Sequence, residues 1–321
     1  MNSKGCAADQ PAAGHPLGNL TPLATADGSL SLHSDLFAEA FHCSAGALGE
    51  AKAKFVAPAQ LERFGSRGDL RVLDVCVGLG YNSAALMEAL RDVPSLSLQW
   101  WGLELDPRPL HLALGHAEFV RLWSEPVLHR LEALRDRGGW NDQTGSGQML
   151  WGDARKQLQA LRHGPPVDLV LMDAFSPNRC PELWSEEFLH GLAEQLAPGG
   201  RLLTYSRAAA VRGSLRRAGL ELRSLLPAPG QRKEWSSGTL ASRPDAQQPL
   251  AEQGPGWTPL SPMEEDHLRT RASVPYRDLG GNDSAAEIKQ RREQEQQHCD
   301  LISTSSWQRL WRQRGHEIGS S

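Results

Sequence analysis

The sequence predicts an α/β fold of Rossmann-like type, a mostly parallel central sheet flanked by helices, and three observations carry that prediction. Residues 72–82, VLDVCVGLGYN, form a short apolar run that breaks at two glycines one residue apart, Gly78 and Gly80. An amphipathic segment follows at 82–87, so the stretch reads as strand, glycine turn and helix. Three later apolar runs also end in glycine or an acid: 98–103 before Glu104, 149–151 before Gly152 and Asp153, and 167–172 before Asp173. Acids and glycines repeated at one edge of successive strands describe a ligand site along the carboxyl ends of a parallel sheet.

Each element has a chemical reason. A residue without Cβ lets the backbone turn tightly and approach a ligand, and the helix that follows offers free N–H groups to an anionic group. The third glycine of the dinucleotide fingerprint would fall at 83, where the chain has Ser83, which weighs against a nicotinamide cofactor. Glu104, at the edge of the second strand, stands where a carboxylate can accept both ribose hydroxyls of an adenosine. Singly, Asp74 could be a turn acid, Glu104 a helix-cap neighbour and Asp153 the cap of a helix over 154–161. As an ordered set they point to an adenosine-type cofactor.

This constellation resembles the class I S-adenosylmethionine-dependent methyltransferases. By that resemblance Asp74, Gly78, Gly80 and Asn82 belong to the cofactor motif that holds the methionine part, Glu104 is the ribose acid and Asp153 the acid at the adenine. Residues 173–222, opening DAFSPNRCPELW, are similar to the methyltransferase half of the bacterial bifunctional MnmC family and its stand-alone relatives. So are Thr25-Ala26-Asp27-Gly28-Ser29, the run HCSAGA at 42–47 with Glu50, and Gly230-Gln231-Arg232-Lys233, a match spanning about 25–241. The resemblance implies methylation of an aminomethyl group on the wobble uridine of tRNA, with Asp173 in the catalytic place. It also implies a departure: nothing beyond Ala241 shows a second glycine-rich strand-turn-helix, so no FAD and no oxidase activity are expected.

Methyl transfer from a sulfonium asks mainly for positioning and for a free lone pair on the acceptor. A primary alkylamine is mostly protonated at neutral pH, so a carboxylate such as Asp173 is suited to orient it and take its proton. Phe175 and Pro177 would then supply an apolar wall and stacking face for a flipped base. Trp184 reads as a packing residue beneath that loop. The small-amine methyltransferases and aminopropyltransferases use the same kind of site, and a non-catalytic nucleotide- or RNA-binding module is the alternative from another class.

The chain has 321 residues, 40% of them hydrophobic, and 34 Lys+Arg against 38 Asp+Glu, a net charge of -4. Its average field therefore repels RNA, and tRNA binding would need a local patch. Residues 201–235 carry such an excess, Arg201, Arg207, Arg212, Arg216, Arg217, Arg223, Arg232 and Lys233 against Glu221 and Glu234, with Arg212, Arg216 and Arg217 on one predicted helix as substrate-binding candidates. A solvated helix face is the alternative. Five scattered cysteines without a C-x-x-C pair, and histidines without metal spacing, predict neither zinc nor a disulfide framework. Cys76 and Cys180 flank the motifs without a histidine at a telling distance, so neither reads as a nucleophile. Mean hydropathy is -0.45, and without an apolar run of membrane length or a secretory leader the expected location is cytoplasmic, with no membrane partner. The expected organisation is a disordered N-terminus (1–19), an extension contributing to the active site (20–67), a methyltransferase domain (68–243), and a linker with a polar helical tail (244–321).

Overall fold

The computed structural model describes residues 15–227 and 237–318, with side chains as far as 311; the expected segment Gly230-Gln231-Arg232-Lys233 and most of the N-terminal 1–19 lie outside the described residues. Nine strands form the central sheet: β4 (Asp69–Val75), β5 (Ser97–Glu104), β6 (Gly139–Asp142), β7 (Gly145–Trp151), β8 (Val167–Met172), β9 (Leu196–Thr204), β10 (Glu221–Leu225), β11 (Gly238–Ser242) and β12 (Trp257–Thr258). Their order is β12-β10-β11-β9-β8-β4-β5-β7-β6. The five inner strands from β9 to β7 pair in parallel, while β11 is antiparallel to β9 and β10, and β6 to β7. A three-stranded antiparallel sheet, β1 (Leu20–Ala24), β2 (Leu30–Ser34) and β3 (Glu39–Ala40), precedes it.

The continuous apolar runs are explained by burial on both sheet faces. Val72, Leu169 and Leu171 point into one hydrophobic cluster, and Leu73, Val170 and Met172 into the other, the period of two expected of a strand. Helices α2 (Tyr81–Leu90), α3 (Arg108–Leu114), α4 (Ala117–Val120) and α5 (Glu125–Arg137) contribute to the first cluster, and α6 (Ala154–Leu161), α7 (Glu186–Gln195) and α8 (Ala209–Arg217) to the second. Leu30, Leu32 and Phe55, and Ala47 and Ala51 of the short helix α1 (Ala47–Ala51), join the first cluster too. The N-terminal extension is thus built into the same core as the sheet.

The segment after β11 is ordered against the domain. Residues 244–261, expected as a linker, add the edge strand β12, anchored by Trp257 at 2% exposure. Helices α9 (Pro262–His267), α10 (Ala285–His298) and α11 (Thr304–Ile318) follow, the first two opened by capping boxes at Ser261 and Ser284. Helix α10 buries only Ile288, which fits its polar sequence.

Several arginines of the basic segment are bonded within the fold. Arg212 is 1% exposed, and its guanidinium donates to Glu264 Oε1 at 2.8 Å, Thr239 Oγ1 at 2.8 Å and Gly238 O at 2.9 Å. Arg216 forks onto both oxygens of Glu265, and Arg217 donates to Glu186. Arg201 donates to Pro58 O, and Arg223 to the carbonyls of Leu250 and Ala251. Of the three candidates on α8, Arg212 has no surface to offer a phosphate, whereas Arg216 and Arg217 are paired with Glu265 and Glu186 with their side chains 44% exposed; Arg232 and Lys233 lie outside the described residues.

Candidate functional site

The site lies at the carboxyl ends of the neighbouring parallel strands β4 and β8, whose following connections run to opposite sides of the sheet, to β5 and to β9, the place at which open α/β sheets hold ligands. A cavity of about 560 Å³ opens there. It is lined from β4 by Cys76 and Gly78, from β5 by Glu104, from β7 by Gly152 and Asp153, from β8 by Asp173 and Phe175, and from β9 by Tyr205. The N-terminal extension closes the other side with Phe37, Phe41, His42, Glu50 and Lys54.

The turn after β4 is left-handed at Cys76 (φ 68°), Gly78 (φ 57°) and Gly80 (φ 92°). A Cβ on Gly78 would lie 3.3 Å from the Phe41 ring, and one on Gly80 3.2 Å from Leu110. Glycine lets Gly78 N–H reach Glu104 Oε2 at 2.8 Å, while Glu104 Oε1 accepts from Leu105 N and Asp106 N at 2.7 and 2.9 Å. Three of about four acceptor sites on that carboxylate are thereby taken, which fixes its plane at the cavity edge. Burial raises its pKa even against these bonds. Asp153 caps α6 and pairs with Arg155.

Asp74, Gly80 and Asn82, expected at the cofactor, flank the glycine turn but are not among the residues that line this cavity. Asp74 is fully buried, bonded to Ser83, which in turn accepts from Trp100 Nε1 at 2.8 Å. Burial raises the Asp74 carboxyl to about 7. Asn82 donates from Nδ2 to Asp173 Oδ2 at 2.7 Å; its place is to orient that carboxylate. Pro177 does not line the cavity either, while Phe175 does.

Asp173 is the polar centre of the inner end. Burial first, then the Glu50 charge, raises its pKa to about 7 against the Asn82 hydrogen bond. Glu50 is ion-paired with Lys54, whose ammonium lies 6.0 Å from the Tyr205 ring centroid. Tyr205 donates to Ala174 O at 2.9 Å. Burial holds His42 down at about 4, so its imidazole is neutral. Beside these groups Phe175 stacks on Phe37 at 4.4 Å and meets Phe41 edge-on at 4.8 Å. Trp184 is fully buried and donates to Phe175 O at 2.7 Å, a packing role. The thiols of Cys76 and Cys180 are pushed well up by burial, which suppresses the thiolate a nucleophile requires.

Sequence reasoning did not mark Phe37, Phe41, Lys54, Tyr205 or Arg155 as site residues. Phe37 and Phe41 come from a hairpin folded over the sheet edge, and Lys54 lies in a π-helical turn, 52–56, for which no pattern is recognised. Among the described residues no group of three His, Cys, Asp or Glu could hold a metal ion, and no helix is long and apolar enough to cross a membrane.

Residues 122–241 match a family described as S-adenosyl-L-methionine-dependent methyltransferase. The chain belongs to the S-adenosyl-L-methionine-dependent methyltransferases. The crystal structure of MnmC2 from Aquifex aeolicus is similar to this methyltransferase with a TM-score of 0.72 at 29% identity, over 90% of this chain and 87% of that one. The tRNA 5-methylaminomethyl-2-thiouridine biosynthesis bifunctional protein MnmC of an Azoarcus strain is 34% identical over 235 residues, 68% of this chain and 35% of that protein. The Caulobacter vibrioides protein of the same name is 31% identical over 71% of this chain and 40% of its own length. The methyltransferase thus spans little more than a third of these bifunctional relatives.

The cavity fits the family's cofactor: a fixed carboxylate faces it beside a glycine turn, with Leu103 and Leu105 as apolar wall. Glu104→Ala is expected to weaken S-adenosylmethionine binding by about 2 kcal/mol, the scale of a hydrogen bond to a charged group. Calorimetric titration measures it, and unchanged affinity removes Glu104 from the cofactor site.

Proposed function

We propose that this methyltransferase acts on the amine of 5-aminomethyluridine, with or without 2-thiolation, at the wobble position of tRNA. The observation that carries the reading is a buried carboxylate, Asp173, set beside the stacked Phe37–Phe175 rings in the same cavity as the Glu104 carboxylate. Similarity to the MnmC proteins supports it. Bound at the outer end, S-adenosylmethionine supplies an electrophilic methyl group. Glu104 would hold its ribose and Asp153 lie at its adenine, with Gly78 giving the backbone close approach.

The rest falls to the chain's own residues. The ring of an unstacked base would lie against Phe175, a face that tolerates the pyrimidine and excludes water. Asp173 Oδ1 is left for the substrate nitrogen, because Oδ2 accepts from Asn82. There it orients the ammonium and takes its proton, leaving the lone pair for the methyl group. Neutral His42 on the wall adds no competing positive charge. The phosphate-binding surface is not assigned to α8, whose arginines are bonded within the fold.

The pH dependence has a definite sign. Asp173 must be ionised to act, and its carboxyl stands at about 7, so kcat/KM should rise with pH through about 7 rather than through about 4. The charged groups around it are Glu50 and Lys54 from the extension and Asp74 from β4, with the Tyr205 phenol from β9. Glu50→Gln removes a raising charge and should move the acid limb to lower pH. A limb at ordinary carboxylate pH in the unmodified protein excludes Asp173 as the base. The substrate class is tested with methyl-labelled S-adenosylmethionine offered to tRNA lacking the methyl group and, separately, to spermidine. Label is expected in tRNA; label in spermidine alone overturns the proposal in favour of a small-amine transferase.

A further inference from the structure

The outer edge of the cavity is held by a residue 123 positions further along the chain. Arg155, on the first turn of α6, lines the cavity beside Asp153. Its Nε and Nη2 donate to the Asp153 carboxylate at 3.1 and 2.8 Å. The remaining arm, Nη1, donates to Asp278 Oδ2 at 2.7 Å and to Asp283 O at 3.0 Å. Asp278 is 1% exposed, and its Oδ1 accepts from the backbone N–H groups of Asn282 and Asp283 at 3.1 and 3.0 Å. The loop that carries it is docked on the first turn of α7: Asp278 N donates to Glu187 Oε2 at 2.7 Å, and Glu186 N to Tyr276 O at 2.8 Å.

A guanidinium is a planar fork, so fixing one arm fixes the direction of the others. With Nη1 held by a buried carboxylate that is itself fixed by two backbone N–H groups, the arms on Asp153 are kept from swinging into the cavity. Without that hold the guanidinium keeps only Asp283 O beside Asp153 itself, and the Asp153 carboxylate, partly exposed at the edge and otherwise fixed by its cap bond to Arg155 N, is held less firmly. The chemistry of the edge also changes, from two acids on one base to one on one.

We propose that Asp278 is a positioning residue for the cofactor: through Arg155 it fixes the Asp153 carboxylate at the end of the cavity that takes the adenosine, which makes the C-terminal segment part of the cofactor site. This rests on that end being the cofactor's.

Asp278→Asn tests it in the full chain. The asparagine oxygen can keep the turn's N–H bonds, while its amide faces Arg155 with a donor against a donor. Calorimetry with S-adenosylmethionine should show Kd raised by about three- to tenfold, the scale of one ordinary hydrogen bond, since the loss reaches the cofactor only through Arg155 and Asp153. In turnover the loss should appear in KM for S-adenosylmethionine with kcat retained. In an Arg155→Gln background the same substitution should have no further effect, since coupled residues are not additive. Arg155→Lys, which can hold one acid but not bridge both, should reproduce the raised Kd and decides the matter should Asp278→Asn not fold. Glu265→Gln, which removes the exposed Arg216–Glu265 pair, serves as a tail control and should leave Kd unchanged. An unchanged Kd in folded Asp278→Asn, or an equal rise in both backgrounds, overturns the proposal. No binding by the unmodified protein overturns the cofactor assignment itself and this inference with it.

Discussion

Asp173→Asn is expected to lower turnover by about a hundredfold or more, the usual range for loss of a general base, with cofactor affinity nearly unchanged. The substitution keeps the shape, and the asparagine oxygen can still accept from Asn82 Nδ2, now 2.7 Å from Oδ2. What disappears is the group proposed to take a proton from the ammonium. The two readouts must separate: Kd for S-adenosylmethionine by calorimetry should stay within about twofold, because the proposed site of that contact is Glu104 and its neighbours. Turnover within about threefold of the unmodified protein would make the carboxylate structural.

The largest expected effect on stability lies at Arg212, far from the chemistry. Arg212→Gln leaves Glu264, 2% exposed, without its buried counter-ion. Breaking a buried pair by removing one partner costs about 3–5 kcal/mol. Thr239 Oγ1 and Gly238 O lose a donor as well, which adds to the cost. Arg216→Gln on the same helix is the contrast. Its pair with Glu265 has side chains 44% and 38% exposed, and solvent screening limits the cost to about 1 kcal/mol or less. Urea unfolding of both variants measures the difference. A cost below about 1 kcal/mol for Arg212→Gln would show that the junction of α8 and α9 contributes little.

Much of the sheet was legible in the sequence, and the reason is physical. Strands buried on both faces leave uninterrupted apolar runs, and a strand that ends at a ligand edge must stop in glycine or a polar residue; Val72 to Gly78, Glu104, Asp153 and Asp173 show both. The same logic did not distinguish residues that line the cavity from residues that hold them. Asp74 and Asn82 sit in the motif as expected, yet their partners Ser83 and Asp173 are set by packing of α2 on the sheet. Charge was least legible. Arg212, Arg216 and Arg217 read as a patch because their partners Glu264, Glu265 and Glu186 lie 52, 49 and 31 positions away, and a local charge count sees only one side of each pair. The aromatic wall was half visible: Phe175 follows the DAF motif, whereas Phe37 and Phe41 meet it only because the N-terminal hairpin folds across the sheet edge.

Mass spectrometry of the wobble nucleosides from cells lacking this protein tests the assignment most directly. The expected result is accumulation of the 5-aminomethyl nucleoside and disappearance of its methylaminomethyl product, restored by the unmodified gene and not by Asp173→Asn. An unchanged wobble nucleoside profile would contradict the proposed substrate.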